Sequence, residues 1–471
     1  MKKIWMFISV FILMVLPFST FVAEDNEPED RIQEFMDQAI QEYNIPGASL
    51  SVIHNGTSIF QNSWGEMSNG KHVTQDTTFL IGSVSKPLTS LAVMMLVKEG
   101  KIDLDSPIDD YIPWFTYESE GEEAITVRHL LNLTSGIGVS DGLVVTDNFK
   151  SNNDIKGAAE RLSGVKLDHP PGEVYVYNSA NYLLLGAIIE AISNQSFGHF
   201  MEQRVFLPLG MNNSTAVYDS AILNGFVPGY QSWFGKSIKS EEMYDRAGAP
   251  YGYMTSTAND LTKFIDFMMN GGELLSEEGL QMLKSTPSEA DKHYGFGWHF
   301  PKSGEQYPFH TGATADYRAE VFFLPEEKIG AVLLINKYHE FEAGAYLSMM
   351  EGIRSILRGE DPKLVGLNTS IQWISLSIVL LLIIGFGISI YRLMKKETVN
   401  RRSWLSIGVS MIFLAAGMIP LFTIIAGVPW RTFGLFVPDV QLLIKCVVVV
   451  VGVYGVIILG MVRKRSNGVI Q

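Results

Sequence analysis

Past residue 370 the chain carries three apolar runs, Ile371–Tyr391, Trp404–Gly427 and Leu442–Met461, joined by short connections. Each is close to the roughly 20 residues required to cross about 30 Å of hydrocarbon. A segment apolar on every side cannot lie on the surface of a soluble domain. Residues 371–471 are therefore expected to form a bundle of three transmembrane helices with a basic tail. The basic residues set the orientation. Arg392, Lys395, Lys396, Arg401 and Arg402 separate the first two runs, and Arg463, Lys464 and Arg465 follow the third. The connection Val428–Val440 carries one basic residue, Arg431. The positive-inside rule puts the first connection and the tail in the cytoplasm and everything before Ile371 outside. The N-terminus agrees. Met1-Lys2-Lys3 is followed by an apolar stretch from Ile4 to about Pro17, a basic n-region and an h-region. Residues 1–23 read as a signal peptide ending at Ala23 or, because Phe21 is bulky for a cleavage site, as an N-terminal anchor. Lys445 reads as a snorkelling residue and Pro420 as a kink in the middle helix. Few charges sit at depth in the runs, which argues against a transport pathway.

The net charge of −14, from 50 acidic and 36 basic residues, excludes the basic surface that a nucleic-acid partner needs. The single cysteine, Cys446, lies in a run of valines, so neither an intrachain disulfide nor a cysteine-rich metal site is possible. An exported domain must then hold together by its core, and residues 24–361 are enough to build one. Residues 362–370 read as a linker to the membrane.

Within 24–361, Ile32, Phe35, Met36, Ala39, Ile40 and Tyr43 recur at helical spacing, predicting a helix over Arg31–Asn44. Ser49–His54 and Thr57–Gln61 read as strands of a hairpin turned by Asn55-Gly56. Ser83–Glu99 is helical, with Gly100 at its C-cap. Helices are also expected near Asn181–Ser193 and after an N-cap at Ser256-Thr257. Strands return at Tyr294–Phe300, Tyr317–Leu324 and Ile329–Asn336. Strands at both ends with a helical insert imply an α+β fold: one sheet closed by both termini, and a helical subdomain.

Three short motifs carry chemistry. Ser83-Val84-Ser85-Lys86 is an S-x-x-K tetrad at a helix start. Spacing of three residues puts the hydroxyl and the amine on one face, where an amine can take the serine proton or lower the pKa of another base. The helix N-terminus adds a positive field for an oxyanion. Roughly two such tetrads arise by chance in a chain this long, so the tetrad alone decides little. Tyr177-Asn178-Ser179 precedes an apolar run. Its tyrosine can act as a base only if a cation such as Lys86 depresses its pKa; otherwise it is a packed residue at a helix start. His310-Thr311-Gly312-Ala313 precedes a strand, where a glycine lets backbone approach a substrate and the Ala313 N–H can pair with that of Ser83. The bland alternative is a polar turn.

In this order the motifs resemble the serine β-lactamase and penicillin-binding-protein family, particularly its branch of class C β-lactamases, D-alanyl-D-alanine carboxypeptidases and related esterases. The resemblance covers about residues 30–345. It extends to Thr126–Ile137, Pro171-Gly172-Glu173, Asn181–Glu190, Pro208–Met211, Gly252–Asp260 and Tyr294–Trp298. It implies an antiparallel sheet flanked by helices with an all-helical subdomain. It also implies Ser83 as the acylated nucleophile, Lys86 and Tyr177 as its activators, and substrate or oxyanion roles for Ser179, His310, Thr311, Gly312 and Ala313. No metal or organic cofactor is called for.

Two departures from the family pattern matter. Ser179 stands where the second motif commonly has Asn, and His310 where the third has Lys. Histidine is only partly protonated near neutral pH, so a substrate carboxylate would be held less firmly. Arg318 is a candidate substitute anchor, though an exposed strand arginine is the commoner case. Weak β-lactam hydrolysis is expected, with D-alanyl peptides, ester carbonyls or other small molecules as substrates, including a cell-wall precursor at the outer membrane face. The alternative from another class is a slowly deacylating penicillin-binding sensor that signals through its membrane helices.

Overall fold

The computed structural model describes residues 27–285, 290–302, 305, 307–396 and 400–467. The signal peptide or anchor expected over 1–23 lies outside them. Seven strands make one antiparallel sheet, in the order Thr57–Gly65, Gly47–His54, Ile329–Ile335, Arg318–Leu324, Phe309–Ala313, Trp298–His299, Tyr294–Gly295. The N-terminal hairpin sits beside Ile329–Ile335, the last strand of this sheet in sequence, so both ends of the domain close the sheet, as the fold class predicted. Asn55 and Gly56 turn the hairpin with φ of 51° and 74°, the left-handed pair that a two-residue turn of this kind requires.

The strands Arg318–Leu324 and Ile329–Ile335 are buried along almost their whole length because both faces of the sheet are covered. Along Arg318–Leu324, Phe322 and Leu324 pack into a core with the helices Pro28–Glu42 and Ala343–Leu357. Ala319, Val321 and Phe323 pack into a second, larger core on the other face. Helix Ala258–Asn270 lies on that second face. It starts at Thr257, whose side chain accepts from Asp260 N, a cap contributing about 1 kcal/mol. The helical subdomain is built around Ser85–Lys98 and Ala180–Ser193, which pack together. Both are buried on all sides over most of their length.

One expectation is corrected. Tyr294–Phe300 is not one strand. It folds back on itself as Tyr294–Gly295 and Trp298–His299, turned by Phe296 at φ 48° and Gly297 at φ 87°. A side chain at Gly297 would meet Ser90 Oγ at 2.8 Å, so the turn packs directly on the S-x-x-K helix. Within the connection Val428–Val440, Trp430–Phe436 forms a short helix.

Among the described residues, three helices are long and apolar enough to cross a membrane: Ser370–Lys395, Arg401–Ala426 and one beginning at Pro438. They associate the protein with a membrane. The last, Pro438–Asn467, packs against both others. The Tyr454 ring stacks on Phe386 at 4.0 Å. Gly408 lets the helices approach, since a Cβ there would meet Leu459 at 2.8 Å. Helix Arg401–Ala426 continues through Pro420.

Candidate active site

Ser83 sits in a tight turn, not in the α-helix itself. The short strand Phe79–Leu80 pairs with Thr255–Ser256, and Ile81 N donates to Met254 O at 3.1 Å. The chain then makes a 3₁₀ turn over Gly82–Val84 and enters the helix Ser85–Lys98. Gly82 has φ of 52°, which a residue with a Cβ adopts only at a cost. Its missing Cβ leaves room for the strand Phe309–Ala313, whose Ala313 N it would overlap. Reciprocally, a Cβ on Gly312 would overlap Ile81 O and meet Ser83 N at 3.0 Å. Two glycines from stretches over two hundred residues apart thus bring the Ser83 and Ala313 amides together. Thr314 N donates to Tyr317 O and Phe323 N to Pro308 O. Between those two bonds, alternation along the ladder turns the Ala313 N–H away from the neighbouring strand and toward the turn.

Lys86 is fully buried. Its Nζ donates to Ser83 Oγ at 2.8 Å, to the Tyr251 carbonyl at 2.8 Å and to Ser179 Oγ at 3.3 Å. Burial pulls its pKa down from 10.5 to about 7, and the Asp147 carboxylate opposes that shift. Tyr177 moves the other way. Burial raises its phenol well above the usual value, and a hydrogen bond with Ser83 offsets only part of this. The residue lines the cleft and is 37% exposed, while the ring's face lies 5.0 Å from Lys86 Nζ. The expectation that Lys86 depresses the tyrosine pKa is therefore corrected: the lysine is the perturbed base and the tyrosine stays a phenol. Asn178 holds the Y-x-S segment in place, donating to the carbonyls of Ile137 at 3.1 Å and Gly138 at 2.7 Å.

The structure brings Ser83, Lys86, Tyr177 and Ser179 into one cluster. Ser83, Tyr177 and Ser179 line a cleft of about 470 Å³ together with Thr311 and Ala313, and Lys86 lies beneath it. His310 is different. It is 1% exposed, lies against the rings of Tyr177, Tyr294 and His299, and is not among the residues lining the cleft. Burial drives its pKa well down, helped by His299 and Lys86. A direct contact of His310 with a substrate anion is thus corrected to a neutral ring behind the tyrosine. Arg318 lines the cleft but is 5% exposed. Its guanidinium donates to Glu320 Oε1 at 2.6 and 3.0 Å, so it is neither an exposed strand arginine nor a free anchor. Among the described residues no cluster of His, Cys, Asp and Glu suited to a metal ion is present.

Asp147 and His299 are among the lining residues that sequence reasoning missed. Asp147, at φ 53°, accepts from Tyr253 at 2.7 Å. Burial raises its carboxyl, while that bond and the charges of Arg431 and Lys86 lower it. No motif marks it. His299 is held neutral by burial, at about 4. It follows the Tyr294–Trp298 stretch directly, and that adjacency was the available signal.

A family model described as Beta-lactamase matches residues 29–350. Protein flp of Staphylococcus aureus is 28% identical over 325 residues, which are 67% of this chain and 64% of flp; the chain thus spans just under two thirds of that relative. Penicillin-binding protein 4 of Amycolatopsis lactamdurans is 27% identical over 326 residues, 64% of this chain and 84% of that protein. The octameric penicillin-binding protein homologue from Pyrococcus abyssi superposes with a TM-score of 0.59 at 26% identity, over 71% of this chain and 78% of that one.

Proposed function

The chain belongs to the beta-lactamase family of serine hydrolases, and on that premise we propose that it is a membrane-anchored acyl-hydrolase working through a Ser83 acyl-enzyme at the outer membrane face. One observation carries this reading: a fully buried lysine, at about 7, bonded to the hydroxyl of Ser83. In its neutral form Lys86 Nζ accepts the Ser83 proton as Oγ bonds to the substrate carbonyl. The Ser83 and Ala313 amides receive the oxyanion. Collapse expels the leaving group, which takes the proton back. Tyr177, a neutral phenol, donates to Oγ or to the leaving group. Water then releases the acyl group, and no cofactor takes part.

The substrate follows from charge. Among the described residues lining the cleft, Arg318 is the one cation, and Glu320 already holds it. A β-lactam or terminal D-alanine carboxylate finds no unpaired cation among these lining residues. Ester carbonyls and amides without a neighbouring carboxylate are therefore favoured, and β-lactams are turned over weakly. The membrane helices, with the catalytic domain outside, put wall precursors and lipid-linked esters within reach. A slowly deacylating penicillin sensor is the second reading, favoured by three helices being more than one anchor requires.

The experiment is to treat the full chain in detergent with a fluorescent penicillin or a fluorophosphonate probe and map the adduct by mass spectrometry. Fluorophosphonate on Ser83, with little penicillin, is expected. Ser83-dependent penicillin labelling favours a wall-peptide enzyme, an adduct that persists for hours without peptide turnover selects the sensor, and rapid loss of a penicillin adduct selects a β-lactam hydrolase. An adduct on any other serine would sink the assignment.

Two variants check the mechanism. Because Lys86 must be neutral, kcat/KM is expected to rise as the pH increases through about 7. Asp147 raises the Lys86 pKa, so Asp147→Asn is expected to move that rising limb to lower pH; a pH–rate profile decides. Gly312→Ala must push the strand off Ile81 O, separating the two amides. Loss of one oxyanion donor costs about 10²–10³-fold. The Ser83 labelling rate should fall by about that factor, and a loss below fivefold would show that the amides do not act together.

A further inference from the structure

The cleft has a wall that the catalytic domain does not supply. The segment between the last two membrane helices, Trp430–Phe436, folds against the site. Arg431 donates to the carbonyls of Leu143 at 3.2 Å, Thr146 at 2.6 Å and Asp147 at 2.7 Å. These carbonyls end the helix Val139–Val145, where unsatisfied oxygens and the helix dipole favour a cation. Gln231 Nε2 donates to the Leu435 carbonyl at 2.8 Å. Asp439 Oδ2 accepts from Phe234 N at 3.0 Å, and its Oδ1 lies 3.0 Å from His339 Nε2 with both side chains fully buried. The segment is fastened on both sides of Phe436. The Phe436 ring lines the cleft together with Ser83. It meets Tyr338 edge-on at 6.0 Å, and Tyr338 in turn lies 5.8 Å beneath Arg318. Leu143, Ala343 and Leu347 complete an apolar side of the same cleft.

The geometry points to Phe436 as a specificity-determining residue that receives an apolar group of the substrate, with Arg431 as the positioning residue that holds its segment on the cleft rim. The inference deepens the acyl-hydrolase reading and rests on it. The charge patterning places this segment at the outer end of two membrane helices, so the cleft opens at headgroup level. A ring there selects acyl or lipid-borne groups reaching up from the bilayer, and the membrane helices become part of the active site.

The test uses the full chain in detergent and the rate of Ser83 labelling by ethyl and dodecyl fluorophosphonates, read by peptide mapping. The readout is the dodecyl-to-ethyl rate ratio of a variant relative to wild type, which cancels partition of the probe into micelles. Phe436→Ala is expected to lower this ratio about tenfold, the loss of about 1.4 kcal/mol of apolar contact. Phe436→Leu keeps an apolar side chain and is expected to fall between. Should the alanine variant label poorly with both probes, the leucine variant decides by its ratio alone. Wild-type ratios in both variants would overturn the inference while leaving Ser83 labelled. Absence of label on Ser83 in the wild type would overturn the hydrolase reading, and this inference with it.

Discussion

Ser83→Ala is expected to lower acyl-transfer turnover about 10⁴-fold or more, the scale on which removing a catalytic serine acts, with little change in Tm. Lys86 keeps its other partners when the Ser83 hydroxyl goes, the Tyr251 carbonyl and Ser179 Oγ. The packing around the turn does not depend on one oxygen. Ser179 is the natural rival for the role, since its hydroxyl also contacts Lys86. Position decides against it. Gly82 and Gly312 bring the Ala313 amide to residue 83, and an oxyanion formed on Ser179 would lack that pair of donors. The double variant Ser83→Ala, Ser179→Ala should therefore be no less active than Ser83→Ala alone. Turnover of Ser83→Ala within tenfold of wild type, measured on any ester that the full chain hydrolyses, would move the nucleophile elsewhere.

How much of this arrangement could be read from the sequence depends on whether a signal is local. The Asn55-Gly56 turn, the Thr257 cap, the helix over Pro28–Glu42 and the three apolar helices all report on neighbours within a few residues, and they fold much as their patterns indicate. The S-x-x-K and Y-x-S motifs are local in spelling, but each is held by distant partners, the Tyr251 carbonyl for Lys86 and the Ile137 and Gly138 carbonyls for Asn178. What the pattern does not contain is which side chain meets which across the chain. His310 carries polar chemistry in the sequence, yet it is buried against Tyr177, Tyr294 and His299, while its neighbours Thr311 and Ala313 line the cleft. Arg318 looks free until Glu320, two residues along the same strand, is seen to bond it. That spacing of two puts both side chains on one face of a strand, so the pair was legible once the strand was granted. Asp147 and Phe436 had no local signal at all. One reaches the site through a left-handed turn and the other from beyond two membrane helices.

Lys86→Met should abolish proton transfer from Ser83 and lower turnover about 10³-fold, within the range that general base catalysis supplies. Its second effect is on stability, and it has a definite sign. The folded-state pKa of Lys86 is depressed, from 10.5 to about 7, because burial disfavours the ammonium. Between those values the unfolded chain binds a proton that the folded protein does not. Stability due to this group therefore rises with pH across the window and is lost as the pH falls toward 7. The slope is about 1.4 kcal/mol per pH unit for a full proton difference, and full burial of the residue removes the discount for solvent screening. The methionine variant has no such term. Groups away from Lys86 titrate in both proteins alike and cancel in the comparison, and of the groups that Lys86 perturbs, His299 and His310 are pushed below this window. The substitution also leaves the Tyr251 carbonyl without its donor, a cost that does not depend on pH and so does not enter the slope. Unfolding of the two proteins at pH 7.5 and at pH 9 should show the wild type gaining about 2 kcal/mol on the variant. Parallel curves would mean that Lys86 stays charged at neutral pH, and the proton of Ser83 would need another acceptor.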